Sequence, residues 1–520
     1  MSSSPPSMER LVVALNEVKR QCPDIAVVAM LWMHVKHPIH PVQEELLRQA
    51  DSTAGERGWR ALAALIGQGL VCVCYAIHLT ARLARLRWRL RHSIRLLRRQ
   101  PFDLVAKTWC FEDGLVTKGR DFYYGDLHQR LSDRGIRMLI LTGHPTESWR
   151  AMRTAGASMG APQQLPEFCL IPFSAPLRVA GHQLWTAVRL WWMARHTSDP
   201  MIKRIAVRGS RDCLSGTITP LGVYYWIGQS IAKLWHPKAF VTLYEGYAWE
   251  QCLWRGIKAV DPACTTVGYQ HTVLLRHNLA LLKPQHNGQA CVRPDVVMCL
   301  GPRTQSMLRP SHERSELLPF GTFRRTSKAH TLRPPRPDAR TILVLPEGFL
   351  HEMTLLFDAA IEVAQAVPQY RVILRCHPVL PFHKVHRVLK RDPMMLPNVT
   401  VSTEPSIERD FEQSSVILYR GSSAVLYAVL HGLKPIYFHD ADHHDVDPLF
   451  ELNEWREQAS SVDELQGIIR RYGHADPNEA TATWRTAAAY VESYAVAVDG
   501  ASIDRLLSTI GVTPGVDVGR

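Results

Sequence analysis

Short apolar runs alternate with longer amphipathic segments along most of this chain, and no other feature of the sequence limits its fold as strongly. Five runs of strand length lie before residue 324, at residues 104–109, 138–141, 239–244, 266–269 and 296–300. Helical patterns lie among them, at residues 124–132, 221–234 and 248–257. Such alternation is typical of a mostly parallel sheet that is covered by helices on both faces. Residues 101–323 are therefore predicted to form a Rossmann-like α/β domain.

A second alternating set follows residues 324–340, which are rich in proline and arginine and which we interpret as a linker. Its predicted strands are residues 341–345, 371–375, 399–402, 416–419 and 435–438. The prediction is a second doubly wound domain over residues 341–475 and a helical tail over residues 476–520. The predicted fold class is α/β, with two Rossmann-like domains facing a cleft and a helical arm at the N-terminus. Ligands bind open α/β sheets outside the carboxyl ends of the strands, so functional residues are expected there.

The composition is that of a globular protein in a reducing compartment. Of the 520 residues, 46% are hydrophobic and 21% are charged, which is ordinary for a folded chain. The 11 cysteines are scattered, with only Cys72 and Cys74 close together, so neither a zinc module nor a disulfide framework is indicated. The first residues lack a basic stretch leading into an apolar core, which argues against a secretory signal. We therefore expect a cytoplasmic protein.

The formal net charge of +13 comes mostly from one segment. Residues 81–100 contain eight arginines and no acidic residue, so the chain without these eight charges would carry only +5. Nucleic acid is disfavoured as the partner, because aromatic residues are not interleaved with the arginines as a base-stacking surface requires. The charge distribution indicates a local contact with an anionic partner.

An apolar stripe runs along the same segment if it is helical. The residues that then share one face are Leu83, Leu86, Leu90, Ile94 and Leu97, with arginines on the flanks. This is the pattern of a helix in a membrane interface, and residues 61–80 are about long enough to cross a bilayer. Within the N-terminal segment, residues 1–100, we predict a helical hairpin at residues 57–100 that dips into or lies on an anionic membrane. A buried, purely structural helix pair and a single membrane span are the alternatives.

Polar residues and glycines follow three strands of the second domain, where each strand ends. They are Glu347 and Gly348 after the first strand, Arg375, His377 and Pro378 after the second, and Arg420, Gly421, Ser422 and Ser423 after the fourth. A tight glycine turn before a helix leaves N–H groups facing outward, which suits a phosphate, and arginines add positive charge. We predict a phosphate site in which His377 also donates a proton to the leaving group. The serines have a second interpretation as simple helix caps.

The strand ends of the first domain offer candidate general bases and hydroxyl-binding groups. Glu245 is the candidate base for an attacking hydroxyl, or else an acid that only accepts hydrogen bonds at a helix start. Asp113 in the stretch FEDG is a rival base, and Glu250 is expected to make a structural pair. Further candidates for acceptor or nucleotide contacts are His144, Gln270 and His271.

Residues 439–447, HDADHHDVD, contain enough histidine and aspartate to suggest a metal site. Dense polar runs of this kind are more often solvated loops, and the sequence has no second cluster of ligands. No metal and no resident cofactor is predicted.

Four stretches between residues 103 and 464 resemble GT-B glycosyltransferases, namely YEGYAWEQCLWRGIK, GYQHTVL, LRCHP and RGSSAVLYAVLHGLKPI. They are most similar to bacterial surface-carbohydrate enzymes related to the capsule polysaccharide transferases that use CMP-sugars. In that family a His-Pro motif and a Ser-Ser or Ser-Thr motif bind the donor nucleotide and phosphate, which implies these roles for His377, Pro378, Ser422 and Ser423. The family's catalytic acid lies in an acidic pair followed by glycine, which implies Glu112-Asp113-Gly114 or a replacement by Glu245.

The resemblance implies a metal-independent transferase that moves a sugar from a nucleotide-sugar, with CMP-sugar favoured, to a hydroxyl of a bacterial surface glycan or its lipid-linked precursor. Glu245 and His377 would be catalytic. The expected location is the cytoplasmic face of the inner membrane, in peripheral contact with anionic lipid. The alternatives are a phosphotransferase that uses CDP-glycerol or a similar donor, a non-catalytic nucleotide-binding scaffold at the membrane, and a nucleotide-sugar epimerase.

Overall fold

Two parallel β-sheets form the body of the molecule. The computed structural model describes residues 8–34, 41–48, 59–89, 91–109, 120–143, 164–283, 293–324 and 332–513. Helices connect most of the consecutive strands in both sheets, whereas the non-helical residues 439–456 connect the last two strands of the second sheet. Further helices precede the first sheet and follow the second.

Five helices precede the first sheet in the described part of the chain. They are α1 (Met8–Gln21), α2 (Ala26–Met33), α3 (Pro41–Arg48), α4 (Trp59–Arg89) and α5 (Arg91–Leu97). Helix α4 is continuous through the apolar residues 61–80 and into the arginine-rich segment. The hairpin predicted at residues 57–100 is therefore wrong. The junction near residue 80 consists of good helix formers such as alanine, leucine and arginine and has no glycine or proline to end the helix.

The apolar stripe that the sequence assigned to a membrane lies inside the protein. Its described members Leu83, Leu86, Ile94 and Leu97 are buried in one core with Val105 of the first strand, and Leu90 lies outside the described residues. Protein therefore covers this stripe, as in the structural alternative, and the prediction that lipid covers it is wrong. An apolar stripe on a helix must be covered, but amphipathicity does not show whether protein or lipid covers it.

The first sheet has seven strands within the described residues. They are β1 (Leu104–Trp109), β2 (Met138–Gly143), β3 (Gln164–Pro166), β4 (Ala239–Leu243), β5 (Thr265–Tyr269), β6 (Val296–Cys299) and β7 (Glu316–Pro319). Its helices are α6 (Leu127–Ser132), α7 (Ala175–His196), α8 (Pro200–Asp212), α9 (Ile218–Gly222), α10 (Tyr224–Trp235), α11 (Ala248–Lys258), α12 (Leu279–Leu282) and α13 (Pro302–Leu308). The helix predicted at residues 221–234 is thus two helices. All strands are parallel, in the order β3-β2-β1-β4-β5-β6-β7.

The second sheet has six described strands. They are β8 (Thr341–Leu345), β9 (Arg371–Leu374), β10 (Val399–Val401), β11 (Val416–Tyr419), β12 (Lys434–Phe438) and β13 (Glu457–Ala459). Its helices are α14 (Leu350–Ala366), α15 (Phe382–His386), α16 (Ile407–Gln413), α17 (Val425–Leu430) and α18 (Val462–Gly473). The order β10-β9-β8-β11-β12-β13 is again that of a doubly wound sheet, with its switch point between β8 and β11. The two parallel-stranded domains match the two-domain GT-B fold, so the predicted fold class is confirmed.

The C-terminal helices α19 (Pro477–Tyr494) and α20 (Gly500–Thr509) join the two domains. Trp484 of α19 is buried in the core of the second domain. After α19 the backbone N–H of Val496 donates to the carbonyl oxygen of Leu300 at 2.9 Å, in the first domain. Ile503 and Leu506 of α20 then enter the core of the first domain. The tail therefore crosses from the second domain to the first.

Candidate active site

Three strands of the second sheet end at one crevice. Strands β9, β8 and β11 are neighbours, so the residues that follow them lie side by side. A methyl group on Gly348 would lie 2.8 Å from Nδ1 of His377, and one on Gly421 would lie 2.6 Å from Cγ of Glu347. The structure thus brings together the three strand ends from which the phosphate site was predicted, with Pro378 exposed at the rim.

The loop between β11 and α17 is not a simple helix cap. Helix α17 begins at Val425, and Ala424 occupies the N-cap position without a side-chain hydrogen bond. In the hydrogen bonds of the described residues, Ser422 and Ser423 contribute only their carbonyl oxygens, which accept from Val425 and Leu426 at 3.3 Å each. Both serines are half-buried, which leaves their hydroxyl groups available to a ligand.

Gly421 is the position in this loop that is most sensitive to substitution. Its φ of +70° lies in the left-handed region, and a Cβ atom would meet the side chain of Glu347. Gly421→Ala should therefore lower the free energy of unfolding by about 1–3 kcal/mol, through strain and crowding. Gly467→Ala in α18 is the matched control, because a methyl group there meets only Arg471 at 3.5 Å and should leave stability unchanged or raise it. Equal melting temperatures for the two variants would contradict the strained turn.

Arg420 does not provide the free cation that the sequence suggested. Its side chain is 0% exposed, and its Nε atom lies 2.5 Å from the carboxylate of Glu352 in α14. Its guanidinium also donates to the carbonyl oxygens of Phe438 and His444, at 3.1 and 3.2 Å. The prediction of a direct phosphate contact is therefore corrected. A guanidinium buried at the end of β11 needs an acidic partner, and Glu352 is that partner.

Arg375 is also engaged within the protein. It forms an ion pair with Asp410 and donates to Ser402 Oγ and to the carbonyl oxygen of Glu404, each at 3.2 Å. Its side chain is directed toward β10 and α16 rather than toward the serine loop. Arg375 is thus corrected to a residue that fixes the end of β9, while His377, two residues later, remains half-buried beside Gly348.

Two carboxylates near the turn after β4, those of Glu245 and Glu250, have different roles. Glu250 is completely buried and accepts hydrogen bonds from the backbone N–H groups of Glu245, Gly246 and Tyr247 at 2.9–3.1 Å. Glu250 therefore serves as the acid that caps the start of the helix, the alternative considered for Glu245. Burial, reinforced by the charge of Glu245, raises the pKa of Glu250 well above its usual range.

Glu245 instead faces a group of aromatic and imidazole rings. One carboxylate oxygen lies 2.9 Å from Nε2 of His271, and the other lies 3.9 Å from Nε2 of His34. Tyr247 shares a hydrogen bond with the same carboxylate, and its ring stacks on His34 with 4.2 Å between centroids. The Glu245 side chain is 18% exposed. This arrangement orients a reachable carboxylate, as a general base requires.

The sequence pattern gave no indication of His34, which lies directly after α2 in the N-terminal segment and outside the two predicted α/β domains. Its side chain is 2% exposed, and it approaches Glu245 from the N-terminal helices. The apolar run at residues 26–33 was the only available signal, since a buried helix of this composition must pack against something.

The remaining candidates of the first domain are Gln270, Asp113 and His144. Gln270 is completely buried, donates to the carbonyl oxygen of Thr272 and accepts from the N–H of Leu300 at 3.1 Å. Its amide therefore ties β5 to the end of β6, which corrects its predicted role as a substrate contact. Asp113 and His144 lie outside the described residues.

The polar residues 439–447 connect the domains. Asp445 lies 3.8 Å from Arg276, and the His444 ring lies 5.3 Å from that of His277, so loops after β12 and β5 meet. The N–H of His444 also donates to Glu44 of α3 at 2.8 Å. No group of three potential metal ligands occurs among the residues that the structure describes. The loop thus brings the carboxyl edges of both sheets to one junction.

Comparisons with known proteins gave weak similarities. No family model and no curated protein matches the chain. Among solved structures, it is similar to a glycosyltransferase of kitacinnamycin (13% identity, 79% of this chain and 99% of that chain, TM-score 0.44). It is also similar to the glycosyltransferase SnogD from Streptomyces nogalater (14%, 79% and 100%, 0.40) and to a UDP-GlcNAc 2-epimerase from Methanocaldococcus jannaschii (8%, 79% and 99%, 0.44). The fold assignment rests on the strand order of this chain and not on these similarities.

Proposed function

We propose that this chain is a glycosyltransferase that moves a sugar from a nucleotide-sugar, with CMP-sugar favoured, to a hydroxyl of a surface glycan or its lipid-linked precursor. The observation that carries the proposal is the junction between the carboxyl edges of the two sheets. Glu245 lies at one edge and the loop at Gly421 lies at the other. A base and a phosphate-binding loop on separate domains suit the transfer of a group between two bound substrates.

Glu245 is the proposed base. It removes the proton from the acceptor hydroxyl, the hydroxyl oxygen bonds to the anomeric carbon, and the bond from that carbon to the phosphate oxygen breaks. His271 and Tyr247 support this role because they fix the position of the carboxylate. A positioned base contributes most when its geometry is set before the reaction.

The second domain is proposed to hold the donor. The N–H and hydroxyl groups of Ser422 and Ser423 bind the phosphate, and His377 donates a hydrogen bond or a proton as the nucleotide leaves. Gly348 and Gly421 support the proposal, because only glycine allows these strand ends to approach so closely. The chemistry requires no resident cofactor and no metal, and we propose that it takes place at the cytoplasmic face of the membrane.

A thermal-shift screen of the purified protein tests the donor site. CMP and CMP-sugars should raise the melting temperature more than UMP, UDP or GDP, because a ligand that binds only the folded state stabilises it. The shift should disappear in His377→Ala and in the double variant Ser422→Ala, Ser423→Ala. Ser508→Ala is the control, since this residue lies in α20, which packs against the first domain and not at the proposed donor site.

Other results would contradict the proposal in distinct ways. Preference for UDP or GDP would keep the transferase and change its donor. Transfer of phosphorus to the acceptor would indicate the polyol phosphotransferase, and donor turnover without acceptor would indicate the epimerase. Absence of any nucleotide effect would remove the phosphate site.

A further inference from the structure

Helix α4 presents apolar side chains to solvent on the face opposite its buried stripe. Ile66, Leu70, Val71 and Ile77 are all more than half exposed, with Leu70 at 64%. This half of α4 precedes the part that is buried in the first domain. Helix α4 also contains a stretch, Ala63–Trp88, that is long and apolar enough to cross a membrane.

Helix α7 carries a second exposed apolar stripe. Leu177, Trp185, Val188 and Trp192 share one helix face, and each tryptophan is 59% exposed. Tryptophan is costly to expose in this way, because its large apolar ring gains most from burial. The sequence pattern predicts no role for this helix.

The two stripes form one surface because the helices lie side by side. A methyl group on Gly69 would lie 2.9 Å from Leu184, and Cys72 of α4 donates to the Gln183 side chain of α7 at 3.4 Å. Between the helices lies an apolar groove of about 420 Å³, lined by Ile66, Val188 and other apolar residues of both helices. We call this combined surface the α4–α7 face.

The two segments that carry the α4–α7 face are strongly basic. Residues 59–102 and 168–198, which contain both helices, include twelve arginines and no acidic residue. Arg91 lies over the ring of Trp88 at 4.9 Å, and Arg195 lies over that of Trp191 at 3.7 Å. Arginine beside tryptophan, with apolar side chains between, is the composition that binds the headgroup region of an anionic bilayer.

We propose that the α4–α7 face docks the protein on the surface of an anionic phospholipid bilayer. A second copy of the chain fits the face poorly, because a symmetric contact would bring the arginine-rich borders of two copies together. A membrane span by α4 is disfavoured because Leu79 and Leu83 belong to the core of the first domain. Burial of the exposed tryptophans and pairing of arginines with lipid phosphates both favour the bilayer.

This inference deepens the proposed function, and it rests on that function for its purpose, namely to hold the enzyme beside a lipid-linked acceptor. The surface differs from the one predicted from the sequence. The stripe from Leu83 to Leu97 is covered by protein, whereas the α4–α7 face is open.

Vesicle co-sedimentation of the full chain tests the proposal. The protein should bind vesicles of phosphatidylcholine and phosphatidylglycerol in equal amounts, bind phosphatidylcholine alone weakly, and dissociate as salt rises. The double variant Trp185→Ser, Trp192→Ser should lower the partition coefficient at least about tenfold, since membrane affinity follows buried apolar area. The double variant Met394→Ser, Met395→Ser is the control, because these methionines are 63% and 79% exposed in the second domain.

Several outcomes would overturn the proposal. The proposal is wrong if the native protein does not bind vesicles, or if the tryptophan and methionine variants bind them equally. It is also wrong if the tryptophan variant only loses a dimer, or if the bound protein resists extraction at high pH, as a membrane-spanning protein does. Melting temperatures show whether each variant is folded. If CMP still shifts the melting temperature while vesicle binding fails, the docking proposal is wrong and the proposed function stands. If vesicle binding persists while CMP causes no shift, the proposed donor site is wrong and the docking proposal stands.

Discussion

Glu245→Gln is expected to lower the turnover number by about 10²- to 10⁴-fold, the usual contribution of a positioned general base. Glutamine keeps the size of the side chain and a hydrogen-bond acceptor for His271, so the melting temperature should change little. The nucleotide-induced thermal shift should also remain, since the loop at Gly421 lies in the other domain. The measurement is transfer to acceptor under saturating donor, together with both melting temperatures.

Glu250→Gln is the informative comparison. It weakens an acceptor that serves three backbone N–H groups at the start of α11, so it should lower stability before it affects chemistry. Normal turnover in Glu245→Gln would show that the base lies elsewhere, with Asp113 as the next candidate. Equal loss of stability in the two variants would show that Glu245 is also a structural acid.

Lys107→Met is expected to lower the free energy of unfolding by about 3–5 kcal/mol, because it leaves the Glu167 carboxylate buried without its cation. The two side chains are 1% and 0% exposed, and their charged groups are 3.4 Å apart. Lys107 also lies over the ring of Trp109 at 3.4 Å, while Glu167 accepts from the Tyr224 hydroxyl at 2.6 Å. Methionine preserves most of the volume, so the loss is electrostatic. Urea unfolding measures it.

The pH dependence of this variant follows from Glu167. Burial raises the pKa of this carboxyl, and Lys107 opposes the rise. Without Lys107, folded Glu167 holds its proton over a range in which the unfolded chain has lost it, so stability falls as pH rises. Lys107→Met should therefore be less destabilising at about pH 5 than at about pH 8. Adding Glu167→Leu should recover most of the loss, whereas additive losses would mean that the two residues do not act as a pair.

The sequence contained enough information for ten of the thirteen described strands and for the strand ends, because both depend on local pattern. The three strands that were not predicted are β3, β7 and β13, which are short and lie at the edges of the sheets. Apolar runs of four to six residues specify buried strands, and glycine after a strand specifies a tight turn. Gly348 approaches His377, and Gly421 approaches Glu347, because β9, β8 and β11 are neighbours in the second sheet.

The partners of individual side chains could not be predicted in the same way. Arg420 pairs with Glu352, and Arg375 pairs with Asp410, through contacts that depend on the packing of helices against the sheet. His34 reaches Glu245 from a segment about two hundred residues earlier in the chain. The apolar stripe that contains Leu83 shows the same limit. Its periodicity predicts that the stripe is covered, but only the fold shows that protein covers it.

Because the C-terminal tail crosses from the second domain back to the first, the first domain cannot complete its core early in synthesis. Ile503, Leu506 and Leu507 belong to a core that also includes residues of β1, β2 and β4, so the domain translated first lacks part of its interior until these residues have been made. On the ribosome this domain must wait with apolar surface exposed, which is a state that chaperones recognise. The same dependence applies to engineered hybrids. A hybrid that exchanges the second domain at the linker would have to return to the original sequence near residue 495, because α20 packs in the interior of the first domain.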